Sequence, residues 1–339
     1  MDQNGRMSAL PSPRQSVLVF ATGGTIGMRD TESGLTPDPD FPEVLADLVE
    51  HLCAPLGADH RVNQLLPAID SANADTDTAP RIARAVTARV RTQRPRGVVI
   101  THGTDTLAYT ASRLAFELAG IGAPVILTGS QLPHGAPGTD AFDNLSLAIR
   151  ASLRAAPTAP VSIAFGGKLL PAVRSTKHDS RSFEAFRAES ALATGAEGVP
   201  TLQGEDAPGR PARVLSFRFT PAVTAADLRA FAAAGPDGLV LECYGSGNAP
   251  TARPGMLGAL RELCDRIPVV AITQCATGGV DLARYAVGRE LAATGVIDGS
   301  DLTLEAATSK LGFLLDRGCA GDELRSLMER NLVGELTAR

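Results

Sequence analysis

The stretch SVLVFATGGTIG, residues 16–27, decides the fold. From Ser16 to Ala21 the chain carries Val17, Leu18, Val19, Phe20 and Ala21 in unbroken succession, without the polar alternation of a strand that has one face in water. Such a run reads as a strand buried on both faces, the kind that parallel sheets contain. Gly23-Gly24 then supplies the conformational freedom for a tight turn out of the strand. Three further apolar runs have the same character: GVVIT at 97–101, PVILT at 124–128 and VSIAF at 161–165. Amphipathic stretches between them, at 79–93, 106–120 and 139–156, read as helices, the last with Thr139 as its N-cap. Strand–helix–strand alternation implies an α/β fold built on a parallel sheet with helices on both faces.

Further along, DGLVLECYG (237–245) and IPVVAITQC (267–275) read as strands of a second, smaller α/β unit, with helices at 302–315 and 322–332. At 339 residues the chain suits two domains, each with its own core. The expected division is a mobile tail at 1–14, an N-terminal α/β domain at 15–202, a linker at 203–213 and a C-terminal α/β domain at 214–339. The segment QGEDAPGRPAR reads as that linker, with a long surface loop nearly as good a fit.

Composition narrows the function classes. Hydrophobic residues make up 44% and charged residues 20%, which argues against a disordered or fibrous chain. A net charge of −5 gives no hint of the basic face that nucleic-acid binding needs, so no nucleic-acid partner is expected. No apolar run approaches the roughly 20 residues of a membrane span, so no membrane partner is expected either. The five cysteines are scattered, with no CxxC pair, so neither a zinc site nor a disulfide framework is supported. The opening MDQNGRMSALPSPRQ lacks the apolar centre of a signal peptide, and with the cysteine pattern this fits a reducing cytoplasm.

In open parallel sheets ligands bind beyond the carboxyl ends of the strands. The segments ATGGTIG (21–27), THGTDT (101–106) and TGSQLP (128–133) occupy that place, each rich in glycine and hydroxyls. They are not nucleotide motifs: Thr25 stands where a dinucleotide fingerprint needs its second glycine, and Gly166-Gly167-Lys168 is followed by Leu169 rather than Ser or Thr. The G-x-S-x-G elbow and HExxH are both absent. What remains is threonine chemistry. Taken singly, Thr25, Thr104 and Asp105 are ordinary helix-capping residues, and Lys177 is one cation in the run RSTKHDSR.

Taken together, these segments resemble the asparaginase family, and more narrowly its bacterial cytosolic, type I, branch. The two long signatures are VFATGGTIG (19–27) and VVITHGTDTLAYTAS (98–112). VILTGSQLP, RSTK (174–177), CYGSGNAP (243–250), TQCATG (273–278) and NLVGELT (331–337) follow in order over nearly the whole chain. The resemblance implies a two-domain fold with a larger N-terminal domain. It also implies hydrolysis of L-asparagine to L-aspartate and ammonia through a threonine-linked acyl-enzyme. It makes Thr25 the nucleophile and groups Thr104, Asp105 and Lys177 as the second polar centre. Asp105 would orient Lys177 and bind the substrate ammonium, and Thr104 would relay a proton or position the water. Lysine suits a proton-transfer role that arginine does not. Backbone N–H groups of the turns at 23–25 and 103–105 are candidate oxyanion donors.

In AIDSAN (68–73), Asp70 and Ser71 match the family's substrate-anchoring loop, while Ala72 replaces a second serine; an Asx-turn accounts for the same residues. Asn248 matches a residue that reaches a neighbouring subunit's site, and the family implies a homodimer or homotetramer. No metal or organic cofactor is implied. In RDTESGLTPD (29–38), Leu35 stands where many members carry a tyrosine, and residues 29–40 read as a mobile loop. Two other readings stay open: a glutaminase-asparaginase of broader specificity, and a non-catalytic asparagine or aspartate sensor. The asparaginase-like subunit of an amidotransferase fits less well, because only about fifteen residues precede the first strand.

Overall fold

The computed structural model describes residues 15–188, 190–200 and 210–337. The expected tail at 1–14 and most of the expected linker therefore lie outside the described residues. In chain order the first lobe contains β1 (Ser16–Gly23), β2 (Met28–Thr31), β3 (Gly34–Pro37), α1 (Phe41–Cys53), β4 (Asp59–Ile69), α2 (Thr78–Gln93) and β5 (Gly97–Thr101). It continues with α3 (Leu107–Glu117), β6 (Val125–Thr128), α4 (Ala141–Arg154), β7 (Ser162–Phe165), β8 (Lys168–Pro171), β9 (Ser175–Lys177) and β10 (Phe186–Ala188). The second lobe contains β11 (Val214–Arg218), α5 (Ala225–Ala232), β12 (Gly238–Cys243), α6 (Met256–Cys264), β13 (Val269–Thr273), α7 (Ala286–Ala292), β14 (Ile297–Asp298), α8 (Leu304–Asp316) and α9 (Gly321–Glu329).

The main sheet has the order β4-β1-β5-β6-β7-β8. It is parallel except for β8, which folds back antiparallel on β7 as a hairpin at the edge. β1 lies inside the sheet with a neighbour on each side, as its apolar run requires. Leu18 and Phe20 face the core shared with α2 and α3, while Val17, Val19 and Ala21 face the core shared with α1 and α4. From β1 the chain moves to β4 on one side, then crosses back to β5 on the other. The carboxyl ends of β1 and β5 thus flank a topological switch point, where an open sheet leaves a crevice for a ligand.

The second sheet is parallel, in the order β11-β12-β13-β14. Leu239 and Leu241 face α5 and α6, whereas Val240 and Val270 face α8. Each lobe keeps an apolar cluster of its own, and a third is shared between them. α8 packs on α3 of the first lobe, and one apolar core runs through both sheets. Phe116 and Phe313 stack across that junction with centroids 5.7 Å apart. Among the described residues no helix is long and apolar enough to cross a membrane.

One local expectation is corrected. α4 begins at Ala141 with Asp140, not Thr139, in the N-cap position. The Thr139 hydroxyl still accepts the Ala141 N–H at 3.1 Å. The Asp140 carboxylate turns back and accepts the backbone N–H groups of Gln131 and Leu132 at 3.0 and 3.2 Å.

Candidate active site

Three turns meet at the switch point, and glycine is what lets them meet. Gly23 and Gly24 have φ of 116° and 93°, a region that side-chain-bearing residues avoid. A Cβ on Gly24 would stand 2.3 Å from the backbone nitrogen of Gly103, and one on Gly23 would stand 2.4 Å from the Ile69 carbonyl oxygen. A Cβ on Gly103 would meet the Ser71 hydroxyl at 2.4 Å. The turns after β1, β4 and β5 are therefore in backbone contact. Thr25 opens a 3-10 turn on this contact, closed by the Gly27 N–H donating to the Gly24 carbonyl at 2.9 Å.

Lys177, at the end of β9, donates from Nζ to Thr104 Oγ1 at 2.9 Å and to Asp105 Oδ1 at 2.8 Å. Thr104 is buried, and its hydroxyl also faces Gln131 Oε1 at 3.5 Å. The Gln131 side-chain amide in turn donates to the Ser182 carbonyl at 3.0 Å. Asp105 differs: its side chain is 61% exposed against 18% for Lys177, so its carboxylate can take a second cation from solvent. Thr104, Asp105 and Lys177 are thus in direct contact, and Gly24, the residue before Thr25, packs on Gly103, the residue before Thr104.

The remaining expected residues divide. Ser71 is buried in the group, where its hydroxyl accepts the Asp105 N–H at 3.3 Å and its carbonyl accepts the Thr106 hydroxyl at 2.8 Å. That bond occupies one of the N–H groups considered as an oxyanion donor. Asp70 forms the Asx-turn: its two carboxylate oxygens accept the Ala72 N–H at 3.1 Å and the Asn73 side-chain amide at 3.0 Å. Asn248 lies in the second lobe, in a turn after β12 where it exchanges backbone hydrogen bonds of 2.8 and 2.9 Å with Tyr244. Among the described residues no hydrogen bond joins Asn248 to the Thr25–Lys177 group. Residues 28–37 form the antiparallel β2–β3 hairpin, where the sequence suggested a loop. Leu35 lies on it, 49% exposed.

His102 is fully buried beneath the second turn. One ring nitrogen faces the Gly103 carbonyl at 2.8 Å and the other faces the Thr110 hydroxyl at 3.2 Å. Burial pushes its pKa below the ordinary imidazole value, partly opposed by the Gly103 hydrogen bond. A neutral ring with both nitrogens engaged props the Gly103–Thr104 turn rather than moving protons. Sequence reading passed over Gln131, although it follows the apolar run of β6 in the same way that Thr104 follows β5.

Known proteins give this geometry a context. Residues 16–203 match the family model described as Asparaginase, N-terminal, and residues 213–328 match the one described as Glutaminase/Asparaginase C-terminal domain. L-asparaginase 1 of Escherichia coli K12 is 34% identical over 337 residues, covering 96% of this chain and 98% of that protein. The L-asparaginase of Thermococcus kodakarensis is 36% identical over 332 residues, covering 95% and 99%. The solved structure of the thermostable L-asparaginase from Thermococcus kodakarensis superposes with a TM-score of 0.80 at 34% identity, over 96% of this chain and 100% of that one.

Proposed function

The chain belongs to the asparaginase family, and from that premise we propose that it hydrolyses L-asparagine to L-aspartate and ammonia, with Thr25 as the nucleophile. The observation that carries the reading is the contact of Lys177 Nζ with Thr104 Oγ1 and Asp105 Oδ1, in a turn packed against the glycine that precedes Thr25. It supports a reading in which the Thr25 hydroxyl attacks and a second hydroxyl, with a proton carrier, serves the same bound substrate.

In the first half-reaction the Thr25 oxygen attacks the side-chain amide carbon, forming a C–O bond. Collapse of the tetrahedral intermediate breaks the C–N bond, and ammonia leaves with the proton that the threonine gave up. Backbone N–H groups at the Gly23–Thr25 turn supply charge stabilisation where the oxyanion forms. In the second half-reaction a water attacks the β-aspartyl ester and restores the Thr25 hydroxyl. Thr104 positions that water, whose proton passes by way of the Thr104–Lys177 pair to the Thr25 oxygen as the ester C–O bond breaks, while the Asp105 carboxylate holds Lys177 in place. The exposed face of Asp105 binds the α-ammonium of the substrate, and Ser71 lines the same side. The site acts in the cytoplasm within a homodimer or homotetramer, where Asn248 faces a neighbouring copy.

The test is ammonia release from L-asparagine, L-glutamine and D-asparagine, measured side by side for the native protein and Thr25→Ala. L-asparagine should be the favoured substrate, and the variant should lose turnover while keeping its melting temperature. Ammonia release near the native rate from Thr25→Ala would refute the nucleophile.

A further inference from the structure

Lys177 ends a strand that is too short to hold its own place. β9 has three residues and one ladder partner, β10, with Phe186 opposite Lys177. Isolated two-stranded ribbons are marginal in water, so β9 needs anchors outside its ladder. The first lobe supplies one, where the Ser112 hydroxyl donates to the Ala172 carbonyl at 3.1 Å, upstream of the strand.

The other anchors come from the second lobe. Consecutive side chains of an extended chain point to opposite sides. Lys177 turns to the Thr104 turn, while the Thr176 hydroxyl donates to Glu305 Oε1 at 2.6 Å. Glu305 lies in the first turn of α8 and is buried at 7% exposure. Two residues before Thr176, the fully buried Arg174 spreads its guanidinium over the second lobe. It donates to the Gly334 carbonyl at 3.1 Å, the Asp301 carbonyl at 3.1 Å and Thr337 Oγ1 at 3.3 Å, and pairs with Asp301 Oδ2 at 3.2 Å. Asp301 also accepts the N–H and the hydroxyl of Thr337 at 2.9 and 2.7 Å.

We propose that Thr176 and Glu305 are positioning residues for Lys177, with Arg174 and Asp301 fixing the chain just before them, so that the second lobe sets where the first lobe's proton carrier stands. This rests on the reading of Lys177 given above. Lysine has a flexible four-carbon stem, and the path of its backbone decides which acceptors its ammonium reaches. Releasing Thr176 lets β9 slide relative to the Thr104 turn, and a displacement of about 1 Å at a reacting group costs on the order of 100-fold in rate.

The experiment is a double-mutant cycle on purified full-length protein. Thr176→Val keeps the shape and the strand preference but removes the hydroxyl, and Glu305→Ala removes the acceptor. Each should lower kcat for asparagine by about tenfold or more, with KM within about twofold, and Thr176→Ser should restore it. In a Lys177→Met background the same changes should have no further effect, because the group they position is gone. A purely structural role predicts instead the same fractional loss in both backgrounds, together with a lowered melting temperature. If Lys177→Met itself keeps near-native turnover, the reading of Lys177 falls and the proposal falls with it. If Lys177→Met is crippled while Thr176→Val and Glu305→Ala are neutral, or equally costly in both backgrounds, the proposal alone is overturned.

Discussion

Lys177 is one of three lysines among 32 basic residues, in a chain that otherwise uses arginine for positive charge. Its two hydrogen bonds, to a buried hydroxyl and to a half-exposed carboxylate, ask different things of it. Asp105 needs only a cation, which arginine supplies. Thr104 needs a group that can give up a proton and take one back, which guanidinium does not do at any pH the protein survives. Lys177→Arg should therefore be nearly as damaging as Lys177→Met, each lowering kcat by about 100-fold or more. Asparagine turnover measured for both variants decides it. An arginine variant with most of the native kcat would make Lys177 an electrostatic anchor and send the search for the proton carrier elsewhere. The same logic separates His102 from the reaction. Its ring is fully buried and engaged at both nitrogens, so it supports the turn that carries Thr104.

At the level of elements, what could be read in advance follows burial. β1, β5, β6, β12 and β13 are continuous apolar runs, and each lies inside its sheet with neighbours on both sides. β4 was missed because it is the edge of the main sheet. Asp59, Arg61, Asn63 and Gln64 fill its first half, and Pro67 interrupts the apolar residues of the second, so DHRVNQLLPAI does not read as a buried strand. The turns bearing Thr25, Thr104 and Asp105 were legible because they follow doubly buried strands. The anchoring of β9 is not, since Thr176 and Glu305 lie 129 positions apart and meet only through the tertiary packing of the two lobes. The β2–β3 hairpin was obscured by Gly34, Pro37 and the polar residues around them, which read as a loop. The Asp38 N–H donates to the Gly27 carbonyl at 2.9 Å, and Asp38 Oδ2 lies 3.7 Å from the His134 ring, so the base of the hairpin is tied to the site. Leu35, at 49% exposure, makes little use of its side chain there. Leu35→Tyr should change stability by less than about 0.5 kcal/mol and leave turnover equal or higher. A large loss of turnover would show that Leu35 packs inward when the hairpin closes on substrate.

The two lobes share part of one core, and the far end of the chain adds to the junction. α3 and α8 share a core across the junction, with Arg113 pairing to Glu117 on its own helix and to Asp316 on α8. After α9 the chain returns to the first lobe. The N–H of Gly198 donates to the Leu332 carbonyl at 3.0 Å, that of Ala193 to the Gly334 carbonyl at 3.1 Å, and Gly334 also receives Arg174. This return is pinned by Lys310 and Glu335, both fully buried, with Nζ and Oε1 2.6 Å apart. Burial pushes the Lys310 amine down, while the Glu335 charge beside it pulls the other way. Glu335 also accepts the N–H groups of Leu332 and Val333 at 2.9 and 2.7 Å. Removing the carboxylate leaves two N–H donors without their acceptor and a buried ammonium with no counter-charge, held only by the Met328 and Arg330 carbonyls. Glu335→Ala should therefore cost about 3–5 kcal/mol, the range for breaking a buried pair from one side. For a chain of this size that lowers the melting temperature by about 4–7 °C. Removing both charges, as Lys310→Met with Glu335→Gln, should recover more than half of the loss, because glutamine still accepts an N–H and no lone charge remains. Calorimetry of the three proteins tests this, and the native trace should show one transition because the core is continuous. Two separated transitions, or a Glu335→Ala protein as stable as the native one, would mean that the lobes fold independently and that the returning segment only rests on the first.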